Sequence, residues 1–455
     1  MRRLSKYYLV FVVVTLAMLV PMSCDDVLYP EPIDQLTDDV VLNEPADVPN
    51  VELGLYAAFR PLIPSMVIAG DFTADMLSHN GTFTNFRELG NKQITSANSS
   101  ATALWGSIYN TAYLANFILE RLPGVPGVSS ADRDRVLATA HFLRGFAYFS
   151  ALYTFGGVPL VTTTDIETNE AIARSTEEEV LDFILNDYEE ALGVLPEIPS
   201  NSGFASEYAV QAALARYYLY TGDWSEAEEY ATAVIESGNY ELDESFPAMI
   251  GEDFSDESIF EVAYTTYDDP GTNNAIGLFY LFVNRREIIP SNQLVLAMGS
   301  DESGDRLSSI FFNLGDLKGA DNGWRVNKYG DRDSNNNNVP VFRLAEMYLI
   351  RAEAMARLGD VIGATNDLNM LRDRANAPTI GSVTQSQLIS LIENERLYEL
   401  AFEGHRWYDL VRTGRAATVM TAFNTNWEAT FELWPIPQRE IQYNTALQGH
   451  QNPGY

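Results

Sequence analysis

The stretch Glu393-Asn394-Glu395-Arg396-Leu397-Tyr398-Glu399-Leu400-Ala401-Phe402-Glu403-Gly404-His405-Arg406-Trp407-Tyr408-Asp409-Leu410-Val411-Arg412-Thr413-Gly414 interleaves acids, bases and aromatics at helical spacing. Upstream, Thr384 and Gln387 form a capping box, in which hydroxyl and carboxamide each satisfy an amide of the first turn. The spacing predicts a helix whose buried stripe is Leu388, Leu391, Ile392, Tyr398 and Phe402. Gly404 is the expected stop, because glycine enters the left-handed cap without a Cβ clash. Glu395, Glu399 and Glu403 recur every four residues and repel one another unless Arg396, Arg406 and Arg412 lie among them. The motif therefore reads as an internal ion-pair network and not as catalytic machinery. His405, with no second histidine or cysteine nearby, reads as hydrogen-bonded scaffold.

Outward from this stretch the helical pattern repeats. Leu104, Ile108, Ala112, Ala115 and Ile118 share one face, and Val136, Ala140, Leu143, Ala147 and Leu152 another. Val180, Leu181, Ile184, Tyr188 and Leu192 follow a second capping box, Thr176 with Glu179. Between Glu207 and Gly238 a helix, a Gly222-Asp223 turn and a second helix capped by Ser225 are expected, with the small Ala227 after the turn. The same arrangement returns at Gly359-Asp360 and Ala364. A glycine turn followed by a small alanine at that distance is similar to tetratricopeptide helix pairs. Two pairs do not make a stable solenoid, so the rest of the chain must complete the core. Residues 60–100 and 243–340, rich in Gly, Asn, Asp and aromatics, read as loops, with Ile259 to Tyr264 as a short strand.

The opening stretch closely resembles the signature of the SusD/RagB family. Further resemblance lies in Arg343-Leu344-Ala345-Glu346-Met347-Tyr348-Leu349-Ile350-Arg351-Ala352-Glu353-Ala354, in Leu143-Arg144-Gly145-Phe146-Ala147-Tyr148 with Phe155-Gly156-Gly157-Val158-Pro159-Leu160, and in the tail from Leu433-Trp434-Pro435 to Pro453-Gly454-Tyr455. The resemblance implies a mainly α fold, an α-superhelix of tetratricopeptide-like helix pairs with a loop-rich variable binding face. It also implies a lipid-anchored outer-membrane protein that binds nutrients, mostly glycans, and caps a SusC-like TonB-dependent transporter. The matched motifs are scaffold, so no binding residue is carried over from them.

The ends agree with an exported protein. Arg2, Arg3 and Lys6 precede the apolar run from Tyr7 to Val20, and Ser23-Cys24 closes it, the layout of a secretory signal. Cys24 is the only cysteine and resembles a bacterial lipoprotein acylation site, although Pro21 stands where the usual pattern has leucine. The expected division is a signal peptide over 1–23, a proline-broken tether over 24–50 and one body over 51–455, its halves about 51–240 and 341–455 flanking a variable region about 243–340. No other segment reads as a membrane span. With 63 acidic against 29 basic residues, a net charge of −34 argues against nucleic acid or an anionic lipid surface as partner.

A sugar ring presents apolar C–H faces edged by hydroxyls, so a glycan site calls for aromatic planes flanked by amides and acids. Candidates in the loops are Tyr264, Tyr267, Phe279, Tyr280 and Trp324, with Asn327, Asn273, Asn274 and Asp268 as polar neighbours. Phe83 and Phe86, beside Asn80, Asn85 and Arg87, form a second group. Trp105, Trp407, Trp434 and Lys328-Tyr329 read as packing. Asp331-Arg332-Asp333-Ser334-Asn335 has the first oxygens of a calcium loop but lacks its glycine and final glutamate, so no metal or cofactor is expected. The four histidines are not spaced for metal, and no Gly-x-Ser-x-Gly elbow or phosphate loop occurs. With no support for enzymatic chemistry, the expected function is the one the resemblance implies: capture of an oligosaccharide for the transporter. A peptide or other nutrient, or a glycosidase whose carboxylate pair sequence spacing would not reveal, are the alternatives.

Overall fold

The computed structural model describes residues 41–250, 252–264, 278, 280–315, 317, 321–329 and 338–455. Cys24 and the signal segment, Tyr267, Asp268, Asn273, Asn274, Phe279 and the Asp331 to Asn335 turn lie outside these residues. The longer helices are α1 (Val48–Phe59), α2 (Ser99–Arg121), α3 (Ser130–Phe155), α4 (Glu177–Ala191), α5 (Glu207–Thr221), α6 (Trp224–Glu236), α7 (Leu344–Leu358), α8 (Val361–Arg374), α9 (Gln385–Glu399) and α10 (Arg406–Arg412). Short strands β1 (Leu77–His79), β2 (Ser258–Val262), β3 (Ile288–Pro290), β4 (Ile310–Phe312), β5 (Trp324–Val326) and β6 (Val339–Arg343) form three antiparallel pairs, β1 with β3, β2 with β6 and β4 with β5.

Helix packing follows chain order. α2 packs on α3, α3 on α4, α5 on α6, α6 on α7 and α7 on α8. From Phe142 to Leu152 every residue of α3 is buried, so this part of the helix is enclosed on all sides. The repeat turns behave as expected. Gly222 and Gly359 take left-handed φ of 80° and 100°, and Ala227 and Ala364 are fully buried where the paired helices touch. The cap of α6 is Asp223 and not Ser225: the carboxylate directly after the glycine reaches the Glu226 amide first.

Two expectations about the N-terminal region are corrected. Helical structure begins before residue 50, with a 3-10 turn Pro45–Asp47 leading into α1. The expected loop over 60–100 instead holds helices Leu62–Val67 and Thr84–Gly90, a π-helical turn Ile68–Phe72 and β1. Within the run Pro45–Phe72 an 18-residue window has mean hydropathy 1.3, long and apolar enough by composition alone for a membrane span. Leu55, Phe59, Leu62, Ile63, Val67 and Phe72 are instead buried in the main core, which explains the apolar character by packing.

The signature stretch forms an ion-pair network, with different partners from those expected. Glu399 accepts from Arg306 Nε at 2.6 Å and Arg343 Nη1 at 2.7 Å and pairs with Arg374; Glu395 pairs with Arg372 and Arg306; Glu403 pairs with Arg343 and Lys328. Arg396 and Arg412 bind Asp409, Arg412 also binds Glu353, and Arg406 binds Asp75. α9 ends at Glu399, short of Gly404, because other donors take over the carbonyls that would continue it. Arg343 Nη2 and Lys328 Nζ donate to Glu399 O, and Tyr329 Oη donates to Phe402 O at 2.6 Å. Of the expected stripe, Leu388, Ile392 and Phe402 are buried, whereas Leu391 and Tyr398 are half-buried. His405 is buried, and its imidazole is held well below its ordinary pKa, first by burial and then by Arg216 and Arg396.

Asp71 ties the signature turn to the N-terminal half. Its carboxylate accepts from the Gly404 amide at 2.8 Å and the Arg406 amide at 3.2 Å. The two backbones pass so closely that a Cβ on Gly70 would lie 1.9 Å from Gly404 O. Burial pushes Asp71 up from 3.8 to about 7 against the pull of those amides, with Glu403 adding to the rise and Lys328 opposing it. A carboxyl raised in the fold keeps a proton that the unfolded chain has released, so its contribution favours the fold in acid and is lost as pH rises. Subtracting the pH–stability curve of Asp71→Asn from that of wild type should give a difference that declines between pH 3.8 and about 7. A flat difference in denaturant titrations across that window would show that Asp71 does not titrate there.

Candidate functional site

β1 and β3 bring together two segments 200 residues apart. Leu77 pairs with Pro290, Ser78 with Ile289 and His79 with Ile288. Just beyond the strands, the amides of Asn80 and Gly81 both donate to Glu287 O, at 2.9 and 3.2 Å. The buried Glu287 carboxylate then accepts from the Phe83 amide at 2.5 Å and Arg285 Nε at 3.3 Å, and is hydrogen-bonded to His79 Nε2 at 3.1 Å. One carboxylate thus organises the turn from His79 to Phe83. Position 81 must be glycine for this, since a Cβ there would sit 1.9 Å from Glu287 Oε2.

The turn presents Phe83. Arg285 lies 4.0 Å over its ring centroid and donates from Nη2 to Thr82 Oγ1 at 2.9 Å. On the other side Phe86 packs at 6.2 Å and, itself buried, continues to Phe72. Residues of this turn line two cavities. One of about 550 Å³ is lined by Phe83, Asn85, Phe86, Ser100, Leu278 and Leu281, among others. One of about 420 Å³ is lined by Asn80, Thr82, Tyr280, Arg285, Arg286 and Asp321, among others. Asn80 donates to Arg286 O, and Asn85 to Ser100 Oγ, so both carboxamides are fixed in direction. The first cavity is mostly apolar and the second is edged by guanidinium, amide and carboxylate groups. That combination suits a ligand with apolar ring faces and hydroxyl rims.

Of the sequence candidates, Phe83, Phe86 and Asn85 line the first cavity, and Tyr280 and Asn80 line the second. Arg87 is exposed and reaches only Thr84. Tyr264 is corrected to a core residue: it follows the wholly buried β2, its amide donates to Asn338 Oδ1, and Arg60 lies 5.5 Å from its ring. Asn327 ties two loops, donating from Nδ2 to Ser308 O and from its amide to Ser309 O, and lines neither cavity. Trp324 is half-buried on β5 and packs on Phe312 at 5.3 Å, with β5 against β3 and the π-helical turn Tyr280–Asn284. It lines neither cavity, so it borders the site and is not a free stacking plane. Arg285, Arg286 and Glu287 were missed by sequence reasoning. Their signal was a charged triplet in a loop-rich stretch, whose meaning depends on the pairing with β1.

Among the described residues no group of three or more His, Cys, Asp or Glu side chains is placed to hold a metal. The buried acids of the signature stretch are all engaged by arginine or lysine, which is the arrangement of a scaffold.

A family model described as "SusD family" matches residues 317–455, and one described as "Starch-binding associating with outer membrane" matches residues 35–219. The chain is 27% identical to SusD-like protein P38 of Formosa agariphila, over 95% of this chain and 96% of that one. It is 26% identical to the starch-binding protein SusD of Bacteroides thetaiotaomicron, over 75% and 76%. Among solved structures, a laminarin-binding SusD-like protein superposes with a TM-score of 0.78 at 25% identity, covering 91% of this chain and 100% of that one. A SusD superfamily protein from Bacteroides thetaiotaomicron gives a TM-score of 0.79 at 23% identity over 89% and 99%, which speaks to the fold.

Proposed function

This chain belongs to the SusD family, and on that premise we propose that it is a non-enzymatic, surface-exposed outer-membrane lipoprotein that captures an oligosaccharide and passes it to a SusC-like TonB-dependent transporter as its lid. The observation that supports the reading is one turn whose residues line two cavities, one with Phe83 and Asn85 and the other with Asn80 and Tyr280. Stacking on the rings supplies apolar contact, and the fixed carboxamides with Arg285 supply the directional bonds that distinguish one sugar epimer from another. In this reading residues 1–23 are the signal, Cys24 the lipid attachment and the remainder a single body. Energy for import comes from the transporter, and the site breaks no bond.

A glycan array probed with the purified protein tests the binding reading directly. Saturable binding to one glycan class without product release is the expected result. Time-dependent cleavage, or binding to peptides with no glycan bound, would replace it. For the anchor, Cys24→Ala should shift the protein from the outer-membrane fraction to the soluble fraction. Mass spectrometry finding a cleaved but unacylated Cys24 in wild type would remove that part of the proposal. Purification in mild detergent should recover a TonB-dependent transporter, and a monomer recovered alone even after gentle cross-linking would argue against the lid.

A further inference from the structure

A separate cavity of about 370 Å³ opens where the loop between α4 and α5 meets the residues after α6 and the segment leading into β2. Its lining includes Ile198, Asn201, Ser202, Asn239, Phe254 and Asp256. None of these residues lines the cavities around Phe83. Phe254 has φ of 59°, a region costly for a side chain with a Cβ, and yet the residue is 42% exposed. The conformation is held by its amide, which donates to Glu261 Oε1 at 2.8 Å. A large ring kept in a strained backbone with much of its surface in water does little for the core, and observed strain of this kind points to a surface role.

The polar groups around the cavity are carboxamides, a carboxylate and hydroxyls. Asn201 Oδ1 accepts from the Gly203 amide at 2.9 Å, which fixes the carboxamide. Ser202 O accepts from the Glu261 amide at 2.9 Å, which ties the same loop to β2. Among the described residues the Asn201 NH₂ group, the Asn239 carboxamide and the Asp256 carboxylate have no hydrogen-bond partner, and the buried Ser202 Oγ has none either. Among the described residues no lysine or arginine lines the cavity, so a sulfate, phosphate or uronate would meet Asp256 with no described cation to offset it. The lining suits a neutral, hydroxyl-rich ring.

We propose that this cavity is a second carbohydrate-contact site, with Phe254 as the stacking face and Asn201, Asn239 and Asp256 as the hydrogen-bonding rim for one neutral sugar unit of a longer polysaccharide. The proposal takes its ligand class from the carbohydrate reading above but uses other residues. Two weak sites on one body hold a polymer more tightly than either alone, because the second contact is made at high effective concentration.

The test is affinity electrophoresis of the full chain in mild detergent, with soluble starch and laminarin in the gel as probes. Phe83→Ala/Tyr280→Ala should remain retarded by at least one polysaccharide, and adding Phe254→Ala or Asn201→Ala should abolish that residual retardation. In the wild-type background Phe254→Ala should weaken retention by at least about tenfold, whereas Phe254→Tyr, which keeps a ring, should retain it. Unchanged retention in both Phe254→Ala and Asn201→Ala would overturn the second site and leave the carbohydrate reading standing. No retardation of wild type by either polysaccharide would overturn the second site as a contact for these neutral polymers, while the carbohydrate reading itself is decided by the glycan array.

Discussion

Replacing Glu399 with alanine should lower the free energy of unfolding by about 3–5 kcal/mol, the usual cost of removing one partner from a buried ionic cluster. The carboxylate is fully buried and faces Arg306, Arg343 and Arg374. Without it, three guanidinium groups keep their desolvation cost and each loses one of the carboxylates that offset it, Glu395, Glu403 and Glu257 remaining. Burial alone would raise Glu399, but Arg374, Arg306 and Arg343 together hold it well below the usual carboxylate range. Its stabilising contribution is therefore present above the unfolded value of 4.5 and is lost only as pH falls through the depressed folded value. Urea titrations should show a lower midpoint at unchanged slope across neutral pH. The gap between wild type and Glu399→Ala should close only in strong acid. Glu399→Gln, which keeps the shape and loses the charge, should be nearly as unstable. A loss below about 1 kcal/mol, within the range of an exposed pair, would mean that the cluster is not fixed as the geometry indicates.

That cluster also marks where sequence reading succeeded and where it stopped. Three glutamates four residues apart demand cations, and the cations are present. Spacing alone nominated Arg396, Arg406 and Arg412 because they are close in the chain, but the partners of Glu399 are Arg306, Arg343 and Arg374, brought in by other elements. The same limit explains Gly404. Local rules place a helix stop at the first glycine, but the carbonyls of Glu399 and Phe402 are claimed by Arg343, Lys328 and Tyr329, and long-range donors end the helix earlier. The helix pairs were legible because their turn chemistry is local: Gly222 and Gly359 cap, and Ala227 and Ala364 pack. At the site, Phe83 and Tyr280 could be named as aromatic loop residues, but their juxtaposition rests on the β1 and β3 pairing and on Glu287. Tyr264 had the same composition signal and is core, because it follows the wholly buried β2 and its amide is held by Asn338. A loop-rich composition identifies candidates, and only the fold sorts them.

The binding counterpart is Phe83→Ala/Tyr280→Ala, expected to weaken affinity for the glycan that wild type binds by about 2–4 kcal/mol, as expected for two aromatic hot-spot contacts. Both rings are half-buried, so the variant also loses some packing. The turn itself should persist. It is held by main-chain donors, the amides of Asn80, Gly81 and Phe83 to Glu287, and none of these depends on either ring. The melting temperature should therefore fall only slightly, in contrast to the about 3–5 kcal/mol lost when a fully buried phenylalanine is truncated. Arg285 would lose its stacking partner but keep Thr82 and Glu287, which limits the damage to the cavity wall. Tyr280→Phe alone separates hydroxyl from ring: if stacking dominates, it should bind nearly as well as wild type. Calorimetry and thermal melts on the same samples decide the matter. A large drop in melting temperature with glycan affinity intact would assign both rings to the core and leave the two cavities without their stacking faces.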